Sequence, residues 1–418
     1  MAATEENRLL QTLAALAVLI ALTAITAAAE APRSIDRAVA KVMERGWPGL
    51  GVLIETADGK ATTASAGLAR IETNEPITPS TGFHMCSINK TFTAVAILRL
   101  ADQGKLSLDQ TVTTVLDQPV VRRIPYVDEI TVAELLDHSS GIYPTNNDPA
   151  YLETLIGSDA FTGRVWRPEE MASLATRPEN KPRGMPGEGH HYSDTNYVLL
   201  GMIVERVSGE PLKAHIQRTL LKPLGMDATY FHSDVLEGKR ATPPYVANGY
   251  TRLTKDLADA VVFNPGFKSP RKGWLNTSIA AERVDAAGSL VTTLPDLRRF
   301  ANALFRGQLL SAKSQAVLTA VEGEMASVAI GTHKTRALQA ALTKFGLVLY
   351  KEGDGPGGFN TLMAFHPKTG TIFIGFTNEF GNFDEVELMM TEIMGAMVAT
   401  LPCRPDGSEP KASTTPDG

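Results

Sequence analysis

The sequence predicts an α/β fold of the α+β kind: an antiparallel sheet flanked by N- and C-terminal helices, with an all-helical domain inserted between the halves. Three observations predict it. Strand-like runs lie near both ends of the chain, the first as a hairpin and the last as a series of apolar segments. A nearly all-apolar helix follows the first hairpin. From Leu106 to about Asp285 the chain breaks into short helices joined by Pro/Gly-punctuated connections. A sheet covered by the first and last helices brings the two ends of such a chain together.

Each element has a local reason. Ser34 to Arg45 reads as a surface helix stopped by Gly46. Gly51 to Thr56 alternates, turns at Asp58-Gly59 and returns through Ala61 to Ala66, the pattern of a hairpin. The apolar helix includes Ala94-Val95-Ala96-Ile97-Leu98 and stops at Gly104. In the middle region Thr131-Val132-Ala133-Glu134 is a capping box leading into Leu135-Leu136. The loop Pro186-Gly187-Glu188-Gly189 precedes a helix from Tyr197 to Val207, with Asp194 placed to cap it. Ala241 to Lys272 is a long irregular connection. Thr293 to Asp296 opens a helix through Phe300 and Leu304. Strands follow at Leu347–Tyr350, Thr361–Phe365 and Thr371–Thr377, then a helix at Glu385–Val398. Residues 31–110 with 286–401 are therefore expected as the α/β domain and 111–285 as the helical insertion, while the proline-rich 402–418 reads as a disordered tail.

Composition narrows the function. With 43% hydrophobic and 21% charged residues the chain is that of a globular protein. A net charge of −6 and the lack of a basic stripe argue against a nucleic-acid partner. The two cysteines, Cys86 and Cys403, form neither a metal pattern nor a disulfide framework. The eight histidines show no metal spacing, and His190 and His191 read as loop residues. No metal or cofactor is expected. Leu9 to Ala29 carries no charge and ends in Ala27-Ala28-Ala29 before Glu30. Residues 1–30 therefore read as a secretory signal peptide, although Glu5 and Glu6 dilute the expected positive start. The run is also just long enough to span a bilayer, so an uncleaved anchor stays open. Either outcome puts the body in a secreted or periplasmic setting, with membrane contact only through residues 9–29.

The chemistry starts at Ser87-Ile88-Asn89-Lys90. Residues three apart share a helix face, so the Lys90 ammonium can reach the Ser87 hydroxyl. Serine is a weak nucleophile that needs an adjacent base. A lysine in an apolar setting is expected to have a lowered pKa and to serve as that base. Two further Ser-x-x-Lys matches, Ser269 to Lys272 and Ser408 to Lys411, contain proline and lie in Gly/Pro-rich stretches that do not open helices. A second acid–base group is needed for the leaving group. Tyr192, in Tyr192-Ser193-Asp194-Thr195-Asn196-Tyr197, fits if cations nearby favour its phenolate; an aromatic staple for the loop is the alternative. The third element sought is a cation beside glycine on a strand, where a substrate backbone can approach. Lys351-Glu352-Gly353, at the end of the Leu347–Tyr350 strand, is preferred to Lys368-Thr369-Gly370, which reads as a hairpin turn.

Together these motifs resemble the penicillin-recognising serine hydrolases: D-alanyl-D-alanine carboxypeptidases, class C β-lactamases and related esterases. Their pattern is Ser-x-x-Lys, then Tyr-x-Asn, then Lys-x-Gly or His-x-Gly. Ser87 and Lys90 match the first, Tyr192 the second by position, and Lys351 and Gly353 the third. Leu135-Leu136-Asp137-His138-Ser139-Ser140-Gly141 resembles another stretch common in the group. The likeness covers roughly residues 34 to 400. It implies a β-lactamase/DD-peptidase-like fold, an acyl-enzyme on Ser87 and a peptide, β-lactam or ester substrate. Two departures stand out. Asp194 occupies the Asn position, and none of the nine tyrosines is followed two residues later by Asn. An ionised Asp only accepts hydrogen bonds, so Asp194 is expected to pair with Lys90 or Lys351. The other departure is an extra residue between Gly353 and Phe359, which leaves Asp354 as the expected second oxyanion amide beside that of Ser87. A carboxylesterase on the same machinery and a non-catalytic binding protein of this fold are the competing readings.

Overall fold

The computed structural model describes residues 34–252, 267–281, 284–320, 333–334, 338–343 and 346–380. The expected signal peptide or anchor at 1–30, the helix expected at Glu385–Val398, the expected tail and Ser408 lie outside the described residues. The main sheet has eight antiparallel strands: β1 (Gly49–Glu55), β2 (Ala61–Arg70), β3 (Glu75–Pro76), β4 (His333–Lys334), β5 (Gln339–Thr343), β6 (Gly346–Gly355), β7 (Phe359–His366) and β8 (Thr371–Thr377). Their order is β4-β5-β6-β7-β8-β1-β2-β3, so the first strand pairs with the last, in the register Leu50↔Thr377 through Glu55↔Ile372. The hairpin read from the sequence is present, and both its strands are longer than the alternation indicated.

Strand alternation sorts the side chains into two cores. Leu50, Val52, Ile54, Val348, Tyr350, Leu362 and Phe373 pack under helix α1 (Ser34–Met43), against Ile35, Val39 and Val42. Leu53, Leu349, Met363, Ile372, Ile374 and Phe376 face the other way, into the larger core. That core holds α2 (Asn89–Asp102), α3 (Val132–Leu136), α4 (Asp194–Ser208) and α5 (Leu294–Phe305). The capping box at Thr131 and Glu134 forms as the sequence predicts. Thr293 caps α5, whose Phe300 stacks on Phe92 of α2 with ring centroids 3.7 Å apart. Helix α5 is also tied to the sheet through Glu55, 2% exposed, which bonds Arg298, Asn302 and Arg306.

Three local expectations are revised. The strand expected to end at Tyr350 continues to Gly355, because Lys351↔Met363, Gly353↔Thr361 and Gly355↔Phe359 pair it with β7. Pairing overrides the turn-like composition of Gly353-Asp354-Gly355. Helix α4 starts at Asp194, so Asp194 is its first helical residue and Ser193 is the cap position. The region expected to be all-helical over 111–285 is mostly helical up to Leu236 but includes a two-residue strand at Tyr230–Phe231. Beyond it come short strands at Tyr250–Arg252, Lys268–Arg271 and Trp274–Asn276 and a 3₁₀ turn at Ser278–Ala280. Ser269 thus lies on a strand.

Candidate active site

Between Thr81 and Leu98 every residue is buried except Ser87, which is half-buried. It sits in a 3₁₀ turn, Cys86–Ile88, that feeds directly into α2. Cys86 is buried, as a small packing residue. Helix α2 is apolar almost all round because it runs through the middle of the larger core. Its first turn therefore holds Lys90 at only 1% exposure.

The Lys90 ammonium makes three polar contacts: Ser87 Oγ at 2.9 Å, the Ala287 carbonyl at 3.0 Å and Asp194 Oδ1 at 2.7 Å. The first two are hydrogen bonds and the third is an ion pair. Ser87 Oγ also lies 2.6 Å from the Tyr192 hydroxyl. Lys90 and Lys351 each place Nζ 5.1 Å from the centroid of the Tyr192 ring. The two lysines expected around Tyr192 are both there.

The protonation states correct the expectations for Lys90 and Tyr192. Burial does work against a charge on Lys90, but Asp194 and then Tyr192 outweigh it and hold its pKa above the ordinary lysine value. Apolar surroundings alone predicted a drop; the carboxylate two residues beyond Tyr192 reverses it. Tyr192 is 37% exposed as a residue, but its hydroxyl end is packed against Ser87, and desolvation there pushes the pKa up to about 12, with Lys90 offsetting only part of the rise. The desolvated cation is Lys351. It is 5% exposed, and burial with repulsion from Lys90 pulls it down to about 8.

Strand parity explains how Lys351 gets there. It shares the face of Leu349 and Gly353, toward α2, while Glu352 points the other way and accepts from Gln339 Nε2 at 2.9 Å. The pairing of β6 with β5 stops at Gln339↔Tyr350 among the described residues. Lys351 to Gly355 thus extends past β5 with β7 on one side. A Cβ on Gly353 would fall 2.4 Å from the Met85 carbonyl and 2.7 Å from the Ser87 amide nitrogen. Only glycine permits so close an approach of β6 to the Ser87 turn. Thr361 reinforces it, with its hydroxyl 2.9 Å from Met85 O and 3.0 Å from Gly353 O. Asp354 follows on the strand and is exposed. Lys368 is exposed in the β7–β8 turn, at the opposite end of β7 from Phe359.

The structure thus brings Ser87, Lys90, Tyr192, Asp194, Lys351 and Gly353 into one site. Two features went unread in the sequence. The Ala287 carbonyl is main chain and carries no residue-type signal. His138 and Asn196 pack behind Tyr192, where only the Leu135–Gly141 resemblance pointed nearby. Among the described residues no group of three or more His, Cys, Asp or Glu is arranged to hold a metal ion.

A serine within hydrogen-bond reach of both a lysine and a tyrosine, at the head of a buried helix beside an antiparallel strand, defines the serine-hydrolase class that the motifs resemble. The chain matches the Beta-lactamase family over residues 35–393 and belongs to that family of serine hydrolases. A candidate D-alanyl-D-alanine carboxypeptidase of Escherichia coli (strain K12) is 27% identical over 247 residues, 56% of this chain and 54% of that protein. Protein flp of Staphylococcus aureus (strain N315) is 27% identical over 223 residues, 53% of this chain and 43% of its own. The chain thus spans about half the length of the curated relatives it matches. Among solved structures, D-amino acid amidase from Ochrobactrum anthropi SV3 superposes with a TM-score of 0.74 at 22% identity, covering 88% of this chain and 99% of the other. The octameric penicillin-binding protein homologue from Pyrococcus abyssi gives 0.71 at 24% identity, covering 87% and 77%. These likenesses establish the fold. No helix among the described residues is long and apolar enough to cross a membrane.

Proposed function

We propose that the chain is an exported serine hydrolase that works through an acyl-enzyme on Ser87, with D-alanyl-D-alanine-type peptides or β-lactam-related amides as substrates. The observation that carries this reading is the position of Ser87 Oγ, 2.6 Å from the Tyr192 hydroxyl and 2.9 Å from Lys90 Nζ. With Lys90 held charged by Asp194, the base is the phenolate form of Tyr192, a minor species at neutral pH: it takes the Ser87 proton as Oγ bonds to the substrate carbonyl carbon and becomes the neutral phenol. The Lys90 ammonium favours that phenolate before the proton moves. Backbone amides of Ser87 and Asp354 take the oxyanion, a single such donor being worth about 2.7–4 kcal/mol. Tyr192 then passes the proton to the leaving group as the scissile bond breaks. Water, activated by the same tyrosine, attacks the acyl carbon and frees Ser87.

Lys351 supplies a buried cation for a substrate carboxylate, which supports the carboxypeptidase-like assignment. The names of the carboxypeptidase and amidase relatives point the same way. Export rests on the uncharged run Leu9 to Ala29. The second reading, a carboxylesterase, is favoured by Asp194: its carboxylate is committed to Lys90 and offers no donor to a substrate amide carbonyl. Exposure of the intact protein and of Ser87→Ala to a fluorescent penicillin and a fluorescent phosphonate tests the proposal. Labelling of wild type by either reagent, with none on Ser87→Ala, is expected. No labelling by either would leave a non-catalytic binding protein, and labelling mapped to Ser269 or Ser408 would overturn the site.

A further inference from the structure

We propose that His138 is a positioning residue for Tyr192: its imidazole Nδ1, as a hydrogen-bond acceptor, seats the Tyr192 loop so that the phenol meets Ser87. The inference rests on the role given to Tyr192 above. His138 is 5% exposed and has φ of 61°, the left-handed region, at the turn after α3. Its carbonyl accepts from His191 N at 2.8 Å and its Nδ1 from Ser193 N at 3.2 Å. It therefore grips the residues on both sides of Tyr192. Its ring also packs against the Tyr192 ring, with centroids 4.4 Å apart.

The polarity of this contact is fixed from behind. Ser140 Oγ donates to Asn196 Oδ1 at 2.7 Å, which turns the Asn196 amide nitrogen toward His138 Nδ1 at 3.3 Å. Two donors, the Ser193 amide and the Asn196 side chain, thus face one ring nitrogen. A proton on Nδ1 would oppose both, so the ring must carry its proton on Nε2. The charges around the ring agree. Burial, Lys351, Lys90 and His190 all hold the imidazole well below its ordinary pKa, and Tyr192 and Tyr197 also face it. The positive φ narrows the substitutions that isolate the role. Asn tolerates this backbone and offers an acceptor oxygen near the place of Nδ1; Gly tolerates it and offers none.

The test uses the full chain and two readouts. Nitrogen-15 NMR of histidine-labelled wild type, assigned by loss of the signal in His138→Asn, should show Nδ1 unprotonated and Nε2 protonated from pH 5.5 to 8. This is read without turnover, so it stands or falls separately from the hydrolase reading. The rate of Ser87 acylation should drop by about 10–100-fold in His138→Gly, the scale of a misplaced catalytic group. His138→Asn should recover most of that loss. In a Tyr192→Phe background, His138→Gly should change the rate by less than about 3-fold, because residues acting as a unit are not additive. Equal losses in both backgrounds, no rescue by Asn, or a protonated Nδ1 would overturn the proposal. If His138→Gly does not fold, the NMR signature and the His138→Asn rate decide alone.

Discussion

Replacing Lys351 by Met should make the protein more stable while narrowing what it binds. Lys351 is 5% exposed, and burial together with Lys90 brings its pKa from 10.5 to about 8. Keeping the ammonium charged in that position at pH 7 costs about 3 kcal/mol, at about 1.4 kcal/mol for each tenfold. Met has a similar length and no charge, so it removes the cost without opening a cavity. The pH dependence follows from the lowered value. Below pH 8 folded and unfolded chains both hold the proton and the full cost stands. Between 8 and 10.5 the folded chain has released a proton that the unfolded chain keeps, so wild-type stability rises with pH. The advantage of Lys351→Met should therefore be about 3 kcal/mol at pH 7 and under about 1 kcal/mol at pH 10. Urea midpoints for both proteins at the two pH values measure it. A variant less stable than wild type at pH 7, or a difference that ignores pH, would refute the reasoning. On the functional side, substrates with a free carboxylate should lose about 1.5–3 kcal/mol in kcat/KM, the range for a hydrogen bond to a charged group. Neutral short-chain esters should react nearly as before, and equal losses on both would make Lys351 a general support of the centre.

Three further outcomes are expected. Lys90→Ala and Tyr192→Phe should each slow Ser87 acylation by at least about 10²-fold, and the double variant by far less than the product; an unchanged kcat/KM in Tyr192→Phe would reduce that residue to a loop staple. Gly353→Ala should slow acylation at least 10-fold and cost about 1–3 kcal/mol in a thermal melt, because its Cβ would press on the main chain at Met85 and Ser87; wild-type kinetics would show that β6 does not touch the reacting centre. Glu55→Gln should cost about 3 kcal/mol at neutral pH, read from urea midpoints, because it leaves Arg298 and Arg306 without their carboxylate. Burial opposes the Glu55 charge, yet Arg298, Asn302 and Arg306 hold its pKa below 4.5. Its contribution is thus full above pH 4.5 and fades as pH falls through the folded value, so the variant should show a weaker acid-induced loss of stability.

Much of this molecule is written locally. The spacing from Ser87 to Lys90, the capping box at Thr131 and the hairpin at Asp58-Gly59 each depend on residues within a few positions of one another, and each formed as read. Alternation from Leu349 onward was enough to send Lys351 and Glu352 to opposite faces. The boundaries near the site were less legible. Gly353-Asp354-Gly355 has the composition of a turn, and only pairing with Thr361 and Phe359 of β7 keeps it extended.

Proximity and protonation belong to the tertiary structure. Lys90 bonds a carbonyl 197 residues away at Ala287, and Ser87 meets a phenol 105 residues away at Tyr192. Local sequence predicts a lysine of lowered pKa and a tyrosine that nearby cations would partly ionise. The folded chain reverses both, because Asp194 lies 2.7 Å from Lys90 and desolvation of the Tyr192 hydroxyl, packed on Ser87, outweighs the pull of Lys90 although the residue as a whole is 37% exposed. The lowered pKa falls on Lys351 instead, where burial and repulsion from Lys90 outweigh the attraction of Glu352, Asp194 and Asp354. Residue types and their spacing determine which groups can take part; the charge each carries is a sum over neighbours distant in sequence, and only the assembled fold supplies those distances.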